Sequence, residues 1–279
     1  MSEAGSMTTD DHAPLRTIRA GARGDVLVYA DPEALARAAA ATFAGVVTRA
    51  VEARALALVA LSGGSTPRRM GELLAQDPYR TSIAWASIEF FWGDERWVPL
   101  DSDESNAGVA MRTFLDKVGV SPGRINPFPV EFPDAALAAD AYATRLRTIS
   151  GETAGVPVMD LILLGMGDDG HTASLFPGTA AIHERDALVV AHHVPKLDAT
   201  RLTFTPPLLN AGREIVFLVG GAAKADILRD VLFGPERVDD LPSQVIRPTG
   251  GRLRWLVDEA AAAHLGEGSA DAGEDATNG

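Results

Sequence analysis

A chain of 279 residues that is 46% hydrophobic is long enough to bury the core of one large α/β domain or two small ones, and it contains no cysteine. Disulfides, thiolate nucleophiles and Cys-ligated zinc are therefore excluded, and a net charge of −13 argues against a general nucleic-acid-binding surface, which needs clustered Lys and Arg. No apolar run approaches the roughly 20 residues of a membrane helix, and the opening MSEAGSMTTDDHAPL has no apolar stretch of signal type, so the expectation is a cytoplasmic protein without membrane contact.

Residues 1–20 read as a disordered start. DVLVYA (25–30) then reads as a strand, and residues 31–54 as a helix with Asp31 at its N-cap and Pro32 in its first position. ALALVAL (55–61) is a buried strand that runs into the Gly-rich turn and helix SGGSTPRRMGELLA. SIEFFW (87–92) is another strand, followed by a polar loop and by SNAGVAMRTFLDKV with helical spacing. RINPFPV suggests a short strand, PDAALAADAYATRLRTIS a helix, and VMDLILLG a strand that opens onto GMGDDGH. ALVVAHHV, RLTFT and EIVFLVGG are further strands, the last leading into the helix AAKADILRDVLF, and LRWLVDEAAAAHL (253–265) reads as a final helix. Residues 266–279 carry Glu267, Asp271, Glu274 and Asp275 with no basic residue, the composition of a disordered acidic tail whose removal is expected to leave activity intact. Strands alternating with helices predict a single-domain, doubly wound, Rossmann-like α/β fold over residues 21–265. Its sheet is mainly parallel, with helices on both faces and an antiparallel edge at ALVVAHHV and RLTFT.

Four apolar runs end directly in unusual polar residues: SGGST after Leu61, GDERW after Trp92, GMGDDGH after Leu164 and GGAAK after Val219. In a parallel sheet these carboxyl ends share one edge, so the four loops are expected to meet. Ser62, Gly63, Gly64, Ser65 and Thr66 offer hydroxyls and backbone N–H groups at a helix start, which suits a phosphate; the same turn also reads as a ligand-free connection. It lacks the lysine of a Walker A loop. Lys224, one turn into a helix, and Arg201 on an edge strand are cations that suit the same anion, or simply solvated surface charges. Asp94, Glu95 and Arg96 are either acid/base and binding groups or a surface salt-bridge loop. Because the whole chain is acidic, any phosphate site must be a local cluster of donors.

Gly165, Gly167 and Gly170 form a nominal GxGxxG, yet Asp168 and Asp169 would face the pyrophosphate of a dinucleotide and no acidic residue ends the next strand to hold a ribose. The aspartates point instead to proton management around His171, a general base whose ring Asp169 would orient; a merely structural histidine is the other reading. The remaining histidines are His12 and His264 near the ends, His183 in a loop, and His192 and His193 adjacent on a strand. They show no metal-ligand spacing. No G-x-S-x-G elbow is present for serine chemistry.

LSGGSTP, FFWGDERWVPLDSDESNAGVAMRTFL, LLGMGDDGHTASLFPG, RLTFTPPLLNAG and VGGAAKADIL, in this order, resemble the 6-phosphogluconolactonase family, related to glucosamine-6-phosphate deaminases, over roughly residues 20 to 265. The resemblance implies a Rossmann-like fold and hydrolysis of 6-phospho-D-glucono-1,5-lactone, a step of the pentose phosphate pathway, with neither metal nor organic cofactor. It implies that His171 activates water and that Asp169 supports it. The SGGST turn, Arg201 and Lys224 would hold the 6-phosphate, while Asp94, Arg96 and Gly167 would line the sugar pocket. The related deaminases carry a stretch resembling DGHIAFNEP, in which a glutamate is paired with the histidine; here that position is Phe176, which exchanges no protons. A deaminase or isomerase is the first alternative, and a non-catalytic sugar-phosphate-binding regulator the second. The expected partner is a phosphorylated sugar lactone, and the chain is expected to act as a monomer.

Overall fold

Apolar runs closed by glycine-rich turns become the parallel strands of the main sheet. The computed structural model describes residues 13–266, so most of the two end segments expected to be disordered lies outside the described residues. In chain order the elements are β1 (Arg16–Arg19), β2 (Asp25–Tyr29), α1 (Pro32–Arg54), β3 (Ala57–Leu61), α2 (Ser65–Leu74), the single turn α3 (Tyr79–Ser82), β4 (Ile88–Trp92) and β5 (Asp94–Arg96). There follow α4 (Asn106–Thr113), α5 (Ala135–Ser150), β6 (Leu161–Leu164), β7 (Val189–Val194), β8 (Ala199–Phe204), α6 (Pro206–Asn210), β9 (Glu214–Val219), α7 (Ala225–Phe233) and β10 (Arg252–Asp258).

Seven strands form the main sheet in the order β1-β2-β10-β9-β6-β3-β4, all parallel except β1. From β3 the chain steps outward to β4 and then returns through β6, β9 and β10 on the other side. The reversal point therefore lies between β3 and β6, where a doubly wound sheet opens a crevice at its carboxyl edge. β3, β4 and β6 are buried at every position, as strands covered on both faces must be. One contiguous cluster of buried side chains runs from Val59, Phe90 and Leu163 in this sheet to Leu202 and Phe204 in the smaller one.

Several expectations are corrected. β1 lies inside the segment read as disordered; it is a four-residue edge strand with Ile18 as its one buried side chain, too short to leave a periodic signal. The strands expected to form an antiparallel edge belong to a separate three-stranded sheet, β5-β8-β7. Gly93 lets the chain leave β4 for that second sheet, its N–H bonding to Leu61 while its carbonyl accepts from Phe204. The final element is not a helix. Residues 252–258 form β10 between β2 and β9, with Trp255 stacked on Phe217 at 3.7 Å between ring centroids. A strand buried on both faces is a continuous apolar run, which periodicity cannot separate from a buried helix, and the alanines that follow extend the resemblance. RINPFPV pairs only through Ile125 with Phe90, since Pro127 and Pro129 have no N–H to donate.

α1 begins as expected, with the Asp31 carboxylate accepting from the Ala34 N–H at 2.8 Å and Pro32 in first position. It corrects the expectation about long apolar segments: by length and a mean hydropathy of 1.3 it passes for a membrane span. Leu35, Phe43, Val46, Val47 and Ala50 are instead buried, in the manner of a core helix covering a sheet.

Candidate active site

The loops after β3, β4, β6 and β9 meet around a cavity of about 300 Å³ at the carboxyl edge of the sheet. Ser62 to Pro67 form one wall, Gly165 to Gly167 and His171 another, and Asp94, Arg96 and Lys224 complete it. Ser62 to Thr66, Asp94, Arg96, Gly165, Gly167, His171 and Lys224, all singled out in the sequence, line this space, whereas Glu95, Asp168, Asp169, Gly170 and Arg201 do not.

The SGGST turn is shaped by two glycines. Gly64 has φ +113°, a left-handed conformation that side chains resist, and it serves as the N-cap of α2 without any side chain closing the helix end. The amides of the first turn are thus left to face an anion. At Gly63 a Cβ would lie 1.9 Å from Asn106 Oδ1, so the turn must be bare there for Asn106 to pack against it. Asn106 is in turn held by donating from Nδ2 to the Asp94 carbonyl at 3.0 Å. Lys224 sits at the N-cap of α7, after a short 3-10 turn, rather than one turn into the helix as expected. Its loop is fixed from β10: the buried Asp258 carboxylate accepts from the Gly221 N–H at 2.9 Å and from the Ala261 N–H at 2.7 Å.

The His171 ring is held by two neighbours, one of which is itself anchored. Its Nδ1 lies 2.5 Å from Asp169 Oδ1, and its ring stacks on Phe176 with centroids 4.1 Å apart. Asp169 Oδ2 accepts from Lys196 Nζ at 2.7 Å. Burial pushes the Asp169 carboxyl upward, but Lys196 and His171 outweigh it and hold the pKa down at about 2. An ionised carboxylate only accepts, so the proton of a neutral imidazole resides on Nδ1 and leaves the Nε2 lone pair free. Gly167 leaves room for this pair, because a Cβ there would lie 2.0 Å from His171 Nδ1 and 2.7 Å from Asp169 Oδ1.

β5 delivers residues to opposite sides. Asp94 faces the cavity and accepts from the buried Ser174 hydroxyl at 2.8 Å. Glu95 turns away, and its buried carboxylate accepts from the N–H groups of Asn106 at 2.7 Å and Ala107 at 2.8 Å, and from the Ser105 hydroxyl at 3.1 Å. Burial raises its pKa, opposed by those backbone donors. Glu95 therefore anchors the start of α4 and is not an acid/base group. Arg96 pairs in register with Arg201 across β5 and β8. Arg201 does not line the cavity; burial, and then the Arg96 charge, lower its pKa. Neither arginine has a carboxylate partner within ion-pair distance among the described residues. Within an acidic chain the cavity wall thus carries Arg96 and Lys224 against one carboxylate, Asp94.

Asn106, Ser174, Lys196 and Asp258 were not legible as site residues. Each acts by holding another group, and only the pairing of distant loops reveals that.

Fold and site together define a class: an α/β protein whose carboxyl-edge cavity joins an anion-binding turn to a histidine held by a carboxylate. The family model described as Glucosamine-6-phosphate isomerases/6-phosphogluconolactonase matches residues 30–255, and the chain belongs to that family. It is 42% identical over 221 residues to a 6-phosphogluconolactonase of Synechocystis, covering 78% of this chain and 89% of the relative. To a 6-phosphogluconolactonase of Mycobacterium leprae it is 35% identical over 249 residues, covering 86% and 98%. The solved structure of 6-phosphogluconolactonase from Trypanosoma brucei superposes with a TM-score of 0.77 at 28% identity, covering 86% of this chain and 98% of that one.

Proposed function

We propose that the chain hydrolyses 6-phospho-D-glucono-1,5-lactone to 6-phospho-D-gluconate, with His171 as general base. The observation that carries the reading is the Asp169–His171 pair, backed by Phe176, facing a cavity whose opposite wall is the uncapped start of α2. The relatives named above support it.

In this reading the first-turn amides of α2 and Lys224 hold the 6-phosphate, with Arg96 and Arg201 adding positive charge nearby. Binding the phosphate places the lactone carbonyl before His171. Nε2 takes a proton from water as the water oxygen bonds to C1, and the imidazolium that forms is stabilised by Asp169. The carbonyl becomes an oxyanion, then collapses with cleavage of the bond from C1 to the ring oxygen. His171 returns the proton to that oxygen, which leaves as a hydroxyl of the open chain. No covalent intermediate arises, and the base contributes about 10²- to 10⁴-fold. Phe176 argues against deaminase chemistry, because a phenyl ring stacked on the imidazole neither gives nor takes a proton. The proposal extends to a monomer acting in the cytoplasm, which size-exclusion chromatography and cell fractionation examine.

The test is hydrolysis of freshly generated lactone above its spontaneous background. Wild type is expected to exceed background clearly, and His171→Ala to lose about 10²-fold or more in kcat. Equal rates for the two proteins, or no turnover above background, would overturn the reading.

A further inference from the structure

We propose that Lys196 acts on the His171 base through Asp169: by holding the second carboxylate oxygen it limits how strongly that carboxylate favours a proton on the imidazole. The inference deepens the proposed function and rests on it for its kinetic part.

Lys196 lies in the short turn Pro195–Leu197 that joins β7 to β8, on the smaller sheet, whereas Asp169 follows β6 of the main sheet. The two meet only through the tertiary fold, with Nζ 2.7 Å from Asp169 Oδ2 while Oδ1 lies 2.5 Å from His171 Nδ1. One carboxylate thus bridges a permanent cation and the imidazole, one oxygen to each. Asp198, which follows that turn, faces His193 at 3.6 Å, and Lys196 makes its single ion pair with Asp169 among the described residues.

A carboxylate alone against an imidazole acts on it in two ways. It orients the ring, but it also favours imidazolium, and an imidazolium cannot take a proton from water. A cation on the far oxygen draws on the same carboxylate charge and repels a second positive charge on the ring, so orientation is kept and excess basicity removed. The other charged groups around His171 are Asp94, Arg96 and Lys224 on the cavity wall and Asp168 beside Asp169. All remain in place when Lys196 alone is changed. Lys196 is mostly exposed, with a side chain 62% accessible, so its effect is open to screening by salt.

The experiment follows the His171 ring by NMR titration in wild type, Lys196→Met and Lys196→Arg, beside the pH profile of kcat/KM for lactone hydrolysis. In Lys196→Met the His171 midpoint is expected to rise by about half a pH unit or more, the size of losing one water-screened charge a few ångströms away. The acid limb of kcat/KM moves up with it, Lys196→Arg restores both, and added salt shifts wild type in the same direction more than it shifts Lys196→Met. A midpoint in Lys196→Met that stays at or falls below the wild-type value overturns the inference. So does a uniform loss of kcat at every pH with the midpoint unmoved, the mark of a merely structural lysine. A raised midpoint in a protein that never hydrolyses the lactone would sustain the inference while removing the proposed function.

Discussion

In the proposed reaction His171 can work as a base only if its ring is held at one angle and its free nitrogen faces the reacting water, and this imposes conditions on neighbours with no chemistry of their own. Gly167 is the sharpest case. Its φ is not in the left-handed region, so the constraint is space: an alanine methyl would occupy the volume of the Asp169–His171 contact. Gly167→Ala is expected to lower kcat by about 10²-fold, as for a base displaced by about 1 Å, with KM changed far less. Steady-state kinetics on the lactone check this, and a variant with unchanged kcat would show that the pair tolerates displacement. Phe176 illustrates the same logic from the other side. A carboxylate there would be a second proton carrier; a phenyl ring at 4.1 Å only fixes the plane of the imidazole.

At the scale of elements, the site depends on loop ends clamped by residues from strands that are distant in sequence. Asp258, the last residue of β10, ties the glycine loop before Lys224 to the turn that follows β10. Asp258→Ala leaves two backbone N–H groups without their acceptor, at a cost of about 1–3 kcal/mol for each one left buried and unpaired. The melting temperature is expected to fall by about 5 °C or more. KM is expected to rise because Lys224 loses its position, while kcat at saturation changes less. Calorimetry and steady-state kinetics read the two effects, and an unaltered KM would detach this clamp from substrate binding. Glu95 acts comparably on α4, whose start carries Asn106 against the SGGST turn. An acidic pair such as Asp94 and Glu95 looks equivalent in sequence. Alternation along β5 sends one side chain to the cavity and the other to a helix end.

Across the whole molecule, a net charge of −13 would repel a phosphorylated substrate, and the cavity offsets this with cations gathered from several loops. The family match ends at residue 255, and residues 266–279 carry four acidic residues and no basic one, so truncation from Gly266 onward is expected to leave kcat/KM within about twofold. A larger loss in the standard lactone assay would give the acidic tail a part in catalysis. The sequence by itself determined the α/β class, α1 with its Asp31 cap, the four polar loops at strand ends, and His171 with its acidic neighbour. Those signals are local: a cap, a glycine turn and an apolar run each lie within a few consecutive residues. Only the tertiary structure decided that residues 252–258 are a central strand, since burial on both faces erases periodicity. It alone separated β5, β7 and β8 into a second sheet, because register between distant strands leaves no mark in either. The same holds for the Lys196 ion pair, the Asp258 clamp and the pairing of Arg201 with Arg96 across β5 and β8, which exist only where the two sheets and the chain reversal between β3 and β6 bring loop ends together.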